Sequence, residues 1–275
     1  MNSFICTTCG TQYPPSEAPP PACPVCEDPR QYVNPSGQSW ITPQALAQGH
    51  ANSFRLLAPE FFSIATTPGF AIGQRALLIR RAGGNFLWDC LSLLDPATEA
   101  LVRALGGLAG IAISHPHYYS AMVDWARAFG CPIHLHDADR QWVMRPDPAI
   151  RFWGSEALAV APGLTLIRCG GHFAGGTVLH WAEGAGGKGA LLSGDILQVL
   201  PDRSHVSFMR SFPNYWPISA SAVRRIQAAL ADVPFDAIYG AFAGREIATG
   251  GRTALAASIT RYCAAITGDG SAELF

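Results

Sequence analysis

The chain has 275 residues and a formal net charge of −1; 49% of its residues are hydrophobic and only 14% are charged. That length supports one main domain with a small appendage, and the near-neutral charge offers no general attraction to nucleic acid or anionic lipid. The longest apolar-leaning stretch, Ala157 to Ile167, contains Pro162 and Gly163 and is too short to span a bilayer.

The first residues, Met1-Asn2-Ser3-Phe4-Ile5-Cys6, show neither a basic leader nor an apolar signal core, so a cytoplasmic protein is expected. The eight cysteines then read as metal ligands or buried thiols rather than disulfides. Two CxxC pairs, Cys6/Cys9 and Cys23/Cys26, stand 13 residues apart, with Gly10 where the backbone must turn. Each pair presents two thiolates on one side of a tight knuckle, and two knuckles make a tetrahedral S₄ cage. A redox CxxC would stand alone beside a βαβ pattern, which this proline-rich stretch lacks. Residues 1–35 are expected to form a structural zinc site that resembles a zinc ribbon or a shortened rubredoxin. With five prolines between Pro14 and Pro21, the segment has little besides the cage to hold it folded. Arg30 is its only basic side chain, which argues against nucleic-acid binding.

Residues 36–60 read as a linker with a short helix, capped by Thr42, with Pro43 in its first turn and a stop near Gly49. A main domain is expected over 61–275. Phe61 to Thr67, Arg75 to Arg81 and Phe86 to Asp89 read as strands; Asp95-Pro96 opens a helix to about Leu105. Ala109 to Ile113 is a buried strand, Tyr119 to Phe129 a helix ended by Gly130, Pro132 to His136 a strand, and Asp137 to Met144 a helix. Strands follow at Leu164 to Arg168, Thr177 to Trp181, Ala190 to Leu192 and Asp236 to Tyr239, with Gly186-Gly187 as a hairpin turn. Helices are expected at Pro217 to Leu230 and Thr253 to Ile266. A strand cluster followed by strand–helix alternation, repeated once, gives an α/β chain arranged as an αββα sandwich.

His115 and His117, His172, and Asp195 each follow an apolar strand-like run. Three neutral imidazoles and one carboxylate can hold a divalent ion while leaving a position for water. The segments Asn85-Phe86-Leu87-Trp88-Asp89, Ile113-Ser114-His115-Pro116-His117, Gly170-Gly171-His172-Phe173-Ala174-Gly175, Leu192-Ser193-Gly194-Asp195 and Ile238-Tyr239-Gly240-Ala241-Phe242 resemble, in order and separation, the five motifs of the metallo-β-lactamase fold superfamily. The resemblance runs from about Phe61 to Ile266. It implies that His115, His117 and His172 are ligands of the first metal site, that Asp195 is the carboxylate that usually bridges two ions, and that Asp89 supports the histidine loop from behind. The usual HxHxDH motif here ends in Tyr119 and Ser120, and the last motif's histidine is Phe242. The resemblance therefore implies one ion in the main site, zinc or iron.

The leading expectation is a metal-dependent hydrolase acting on a small ester, thioester or lactone, with Asp195 as ligand or base and Tyr119 steadying the developing oxyanion. One alternative is a mononuclear iron dioxygenase acting on a sulfur compound, an activity that the superfamily includes. Another is a non-catalytic metal-dependent sensor or scaffold. The expected partner is a small-molecule substrate, with no nucleic acid and no membrane. Arg210, Asn214 and Arg245 are candidates for contacting an anionic substrate. His50, His180 and His205 read as ordinary residues, and His134-Leu135-His136 is the rival histidine pair. Cys90, Cys131, Cys169 and Cys263 read as small buried hydrophobes.

Overall fold

The computed structural model describes residues 1–268. The chain divides into two compact units, Met1–Trp153 and a second beginning at Gly154. The expected domain over 61–275 thus spans a boundary, and its last seven positions lie outside the described residues. Among the described residues no helix is long and apolar enough to cross a membrane.

The first unit opens with a three-stranded sheet. Strands β1 (Asn2–Cys6), β2 (Gln12–Ser16) and β3 (Trp40–Ile41) lie in the order β2-β1-β3. The short helix α1 (Pro24–Glu27) carries the second knuckle. Helix α2 (Pro43–Gly49) starts as expected, with the Thr42 hydroxyl accepting the Ala45 amide and Pro43 in the first turn. The stretch 36–60 holds more than that helix: β3 joins the small sheet, and β4 (Ala51–Ala58) is a full edge strand of the large one. Its alternating exposure and the polar residues Asn52, Ser53 and Arg55 hide it from a search for apolar runs.

The large sheet contains seven strands in the order β10-β9-β8-β7-β6-β5-β4. Here β5 is Phe61–Thr67, β6 Arg75–Ile79, β7 Phe86–Trp88, β8 Gly110–Ala112, β9 Ile133–His136 and β10 Ile150–Trp153. From β4 to β7 the strands are antiparallel hairpins; from β7 to β10 they run parallel, with Leu87 opposite Ile111 and Ala112 opposite His134. The crossovers are helices α3 (Pro96–Ala104) and α4 (Met122–Phe129). Strands β6, β7 and β8 are buried throughout; β7 and β8 pair in parallel, and parallel strands are covered on both faces. Two segments differ from expectation. Asp137–Trp142 is a 3-10 helix, and helix α4 begins at Met122 rather than Tyr119, because Pro116–Tyr118 forms a separate 3-10 turn and Ser120 takes φ +44°. Gly130, left-handed at φ +65°, ends α4 as its position suggests.

The second unit has a six-stranded sheet, β11 (Ala157–Ala161), β12 (Leu164–Arg168), β13 (Thr177–Trp181), β14 (Ala190–Gly194), β19 (Ala237–Gly240) and β20 (Glu246–Ile247) in that order. The β13–β14 turn is the short helical α5 (Gly184–Gly187), where Gly186 has φ +68°. Between β14 and β19 come two small ribbons, β15 (Gln198–Val199) with β16 (Val206–Ser207), and β17 (Met209–Ser211) with β18 (Trp216–Pro217). Helices α6 (Ala220–Ala229) and α7 (Gly251–Thr267) bury Val223, Ile226, Leu255 and Ile259 in one core with Ile167, Val178, Leu191 and Ile238 of the sheet.

Candidate metal centre

The four cage cysteines are buried, none is in a disulfide, and their sulfurs lie within 4.8 Å of one another. Cys6 to Cys26 and Cys9 to Cys23 are each 3.6 Å between sulfurs. A tetrahedron with Zn–S arms of about 2.3 Å has edges of about 3.8 Å, so the cage already has the dimensions of its ion. Before an ion binds, the sulfurs share protons unevenly. Hydrogen bonds pull Cys6 (from Cys23 first) and Cys23 (from Cys26 first) below the ordinary thiol value, while Cys9 and Cys26, each engaged by Cys23 first, are pushed above it.

His115 and His117 stand on the loop after β8. Asp89, in the left-handed region at φ +59°, turns its carboxylate so that Oδ1 accepts the Ser114 amide at 2.8 Å. The Ser114 hydroxyl in turn meets His115 Nδ1 at 2.9 Å, which leaves Nε2 as the nitrogen available to an ion. Both imidazoles are buried, and their rings stand 5.2 Å apart. Asp89 therefore supports the loop through the Ser114 backbone. Tyr118, fully buried, packs its ring 4.4 Å from that of His115. Tyr119 is buried too, and desolvation, with the nearby Asp139 adding, pushes its phenol well above the ordinary value.

In the second unit, His172 ends the turn after β12. Gly170 and Gly171 take φ of +71° and +83°, and the chain returns tightly enough that a Cβ on Gly176 would lie 2.6 Å from the Gly170 carbonyl. His172 Nδ1 lies 3.1 Å from the Met209 carbonyl oxygen, which can only accept; Nδ1 carries the proton and Nε2 the lone pair. Phe173 and Phe212 flank the imidazole at 5.0 and 5.7 Å. Asp195, buried, follows β14, where Ser193 donates to the Leu197 carbonyl and Ala241 donates to Gly194. Strand ends thus deliver the chemistry in both units, as open sheets commonly do.

The ordinary histidines have ordinary partners. His50 Nδ1 meets the Leu46 carbonyl, His180 the Pro234 carbonyl, and His205 the Asp202 carboxylate. His134 stacks on Phe86, while His136 accepts the Ala138 amide and packs against Trp153. Neither joins a potential ligand group among the described residues. Arg210 lies 5.0 Å from the Trp216 ring, the Asn214 amide is held by Ser211, and the Arg245 backbone closes a turn with Phe242 and Gly240. Sequence reasoning passed over Met209, whose contribution is a carbonyl.

No protein-family model matches the chain. It is 45% identical over 278 residues to the uncharacterized protein YmaE of Bacillus subtilis (strain 168), covering 100% of this chain and 99% of that one. The chain belongs to the YmaE family. Among solved structures it is similar to DIM-1 metallo-beta-lactamase (TM-score 0.57, 12% identity, 80% of this chain and 98% of that one). It is similar also to a metallo-beta-lactamase from Hirschia baltica (0.55, 17%, 76% and 96%) and to FIM-1 from Pseudomonas aeruginosa in its mono-zinc form (0.55, 14%, 76% and 93%). These likenesses show the fold: this YmaE-family chain has the metallo-β-lactamase fold, preceded by a cysteine cluster.

Proposed function

We propose that the chain is a hydrolase in which His115, His117 and His172 hold one divalent ion, zinc, with Asp195 as the base, and that the cysteine cage holds a second, structural zinc. The observation that carries this reading is the matched treatment of two imidazoles. Ser114 engages Nδ1 of His115, and the Met209 carbonyl engages Nδ1 of His172, so in both side chains Nδ1 is occupied and Nε2 is left to ligate. The donor chemistry favours one ion: where the superfamily motif carries second-site ligands, this chain has Tyr119, Ser120 and Phe242. FIM-1 in its mono-zinc form supports the idea that this fold accommodates a single ion.

When bound, zinc supplies Lewis acidity toward a carbonyl oxygen and lowers the pKa of water from 15.7 to about 7. The protein's own part is positional and protonic. The histidines fix the ion, and Phe173 and Phe212 keep bulk water from the His172 ring. The Asp195 carboxylate accepts the proton of the attacking water and returns it to the leaving group. The reaction class is acyl transfer to water from a small ester, thioester or lactone.

Full-length protein saturated with zinc should contain two ions per chain, and His115→Ala and His172→Ala one each. Hydrolysis of p-nitrophenyl acetate and of an acetyl thioester should fall at least about 100-fold in both variants. Two ions in His115→Ala, or turnover equal to that of the unaltered chain, would refute the ligand assignment.

A further inference from the structure

The histidine loop runs from Ser114 to Ser120, and its two ends are held by different parts of the molecule. Asp89 holds the front end through the Ser114 amide. The back end is held by the cysteine module and by Gln74, just before β6. Gln12 donates its backbone amide to the Ser120 carbonyl at 3.2 Å, and Gln74 donates to the Ser120 hydroxyl at 3.0 Å. Ser120 needs such restraint: it sits at φ +44°, a conformation that a non-glycine residue keeps only when its surroundings impose it.

The docking edge of the module is also a wall of its cage. The Thr11 carbonyl accepts the Cys6 amide, and the Thr11 hydroxyl is 3.3 Å from Cys9 Sγ. The next residue, Gln12, is buried and bridges to Asp124 (2.6 Å) and Arg145, which themselves pair at 2.8 Å. Gly10 brings its carbonyl to the Ser92 hydroxyl at 2.8 Å; a Cβ on Gly10 would meet that oxygen at 2.6 Å, so the approach admits only glycine. The module has little core of its own, since its buried apolar cluster is the four cysteines with Tyr13 and Val25. Metal binding therefore supplies its folding energy.

We propose that the cysteine module is a positioning element for the histidine loop, so that filling the cage strengthens ion binding by His115 and His117. Gln12, Gln74 and Ser120 are the positioning residues. An unfilled cage frees the module to unfold, Gln12 leaves Ser120, and the strained turn relaxes three residues from His117. The coupling is reciprocal: an ion on the histidines also tightens the cage. This inference rests on the ligand reading given under Proposed function.

The test is a cobalt(II) titration of the full-length protein against a competing chelator. Thiolate charge-transfer absorption reports the cage, and the weaker visible bands report the histidine site. Gln12→Pro, which removes the amide donated to Ser120, should keep the cage loaded and weaken the histidine site about tenfold or more, as should Ser120→Ala, which loses the Gln74 bond. Cys9→Ser should lose the cage signal and weaken the histidine site at least as far. Glu17→Ala, on the exposed side of the module, should change neither. Asp95→Ala removes a helix cap elsewhere and should leave the histidine-site affinity intact, which separates positioning from general destabilisation. Unchanged histidine-site affinity in Gln12→Pro with a loaded cage, or in Cys9→Ser with an empty one, would overturn the coupling while sparing the ligand assignment. An unaltered protein that takes up cobalt in the cage alone would sink both.

Discussion

Ser114 is a small residue with a large share in the site. It spends its amide on Asp89 and its hydroxyl on His115. Ser114→Ala keeps the first bond and loses the second, so the imidazole loses a partner that orients it through Nδ1. Metal affinity at the histidine site should fall 10- to 100-fold, as read by chelator competition, with the melting temperature barely altered. His134 answers to pH. Burial, with Arg151 adding, holds its pKa below the ordinary 6.5. The folded chain then binds fewer protons than the unfolded chain once the pH drops under 6.5. Stability from this group is flat above that value and is lost as the pH falls through the lowered pKa. His134→Phe should make the fall in denaturation midpoint below pH 6.5 shallower. The four ligand candidates and Asp89 could be named from the sequence because imidazoles and carboxylates in motif order are rare and chemically specific. Met209 could not, since any residue can lend a carbonyl, and neither could the place of the Tyr118 ring, since a tyrosine beside a ligand reads the same whether its ring packs on the imidazole or away from it.

Among the elements, those with sharp local chemistry were the readable ones. Asp95 caps α3 by accepting the Thr98 amide at 2.7 Å, and Asp95→Ala should lower unfolding stability by about 1 kcal/mol in a denaturant titration. Strand β5 occupies the very span its apolar run suggests. Strands whose pairing is decided by distant neighbours were harder. The sequence of β4 is half exposed, and β11 hides in an alanine-rich stretch; both are strands because β5 and β12 offer them a hydrogen-bonding edge. The start of α4 was misjudged for a local reason with a remote cause. Ser120 leaves the helical region because its carbonyl and hydroxyl are both claimed from outside the helix.

For the molecule as a whole, the cysteine pairs declared a cage, but their docking place was hidden. It depends on Gln12 meeting Asp124 and Arg145, residues separated from it by 112 and 133 positions. Metal removal should expose this organisation. Stripped by a chelator at neutral pH, the protein should expose Cys6, Cys9, Cys23 and Cys26 to iodoacetamide; zinc should protect all four. Cys131 and Cys169 should stay unmodified in both states, because burial pushes their thiols up to about 11 and 12. Rapid alkylation of the cage in zinc-loaded protein, counted by mass, would contradict the cage assignment.

The order of these pieces along the chain has a temporal consequence. All four cage sulfurs lie within the first 26 residues, whereas Ser92, Ser120, Asp124 and Arg145 come much later. A nascent chain emerging from the ribosome can therefore close its first knot around a captured ion long before those residues are synthesised. The later segments then arrive at a surface that is already finished, and the awkward bend at Ser120 forms against a template instead of waiting for one.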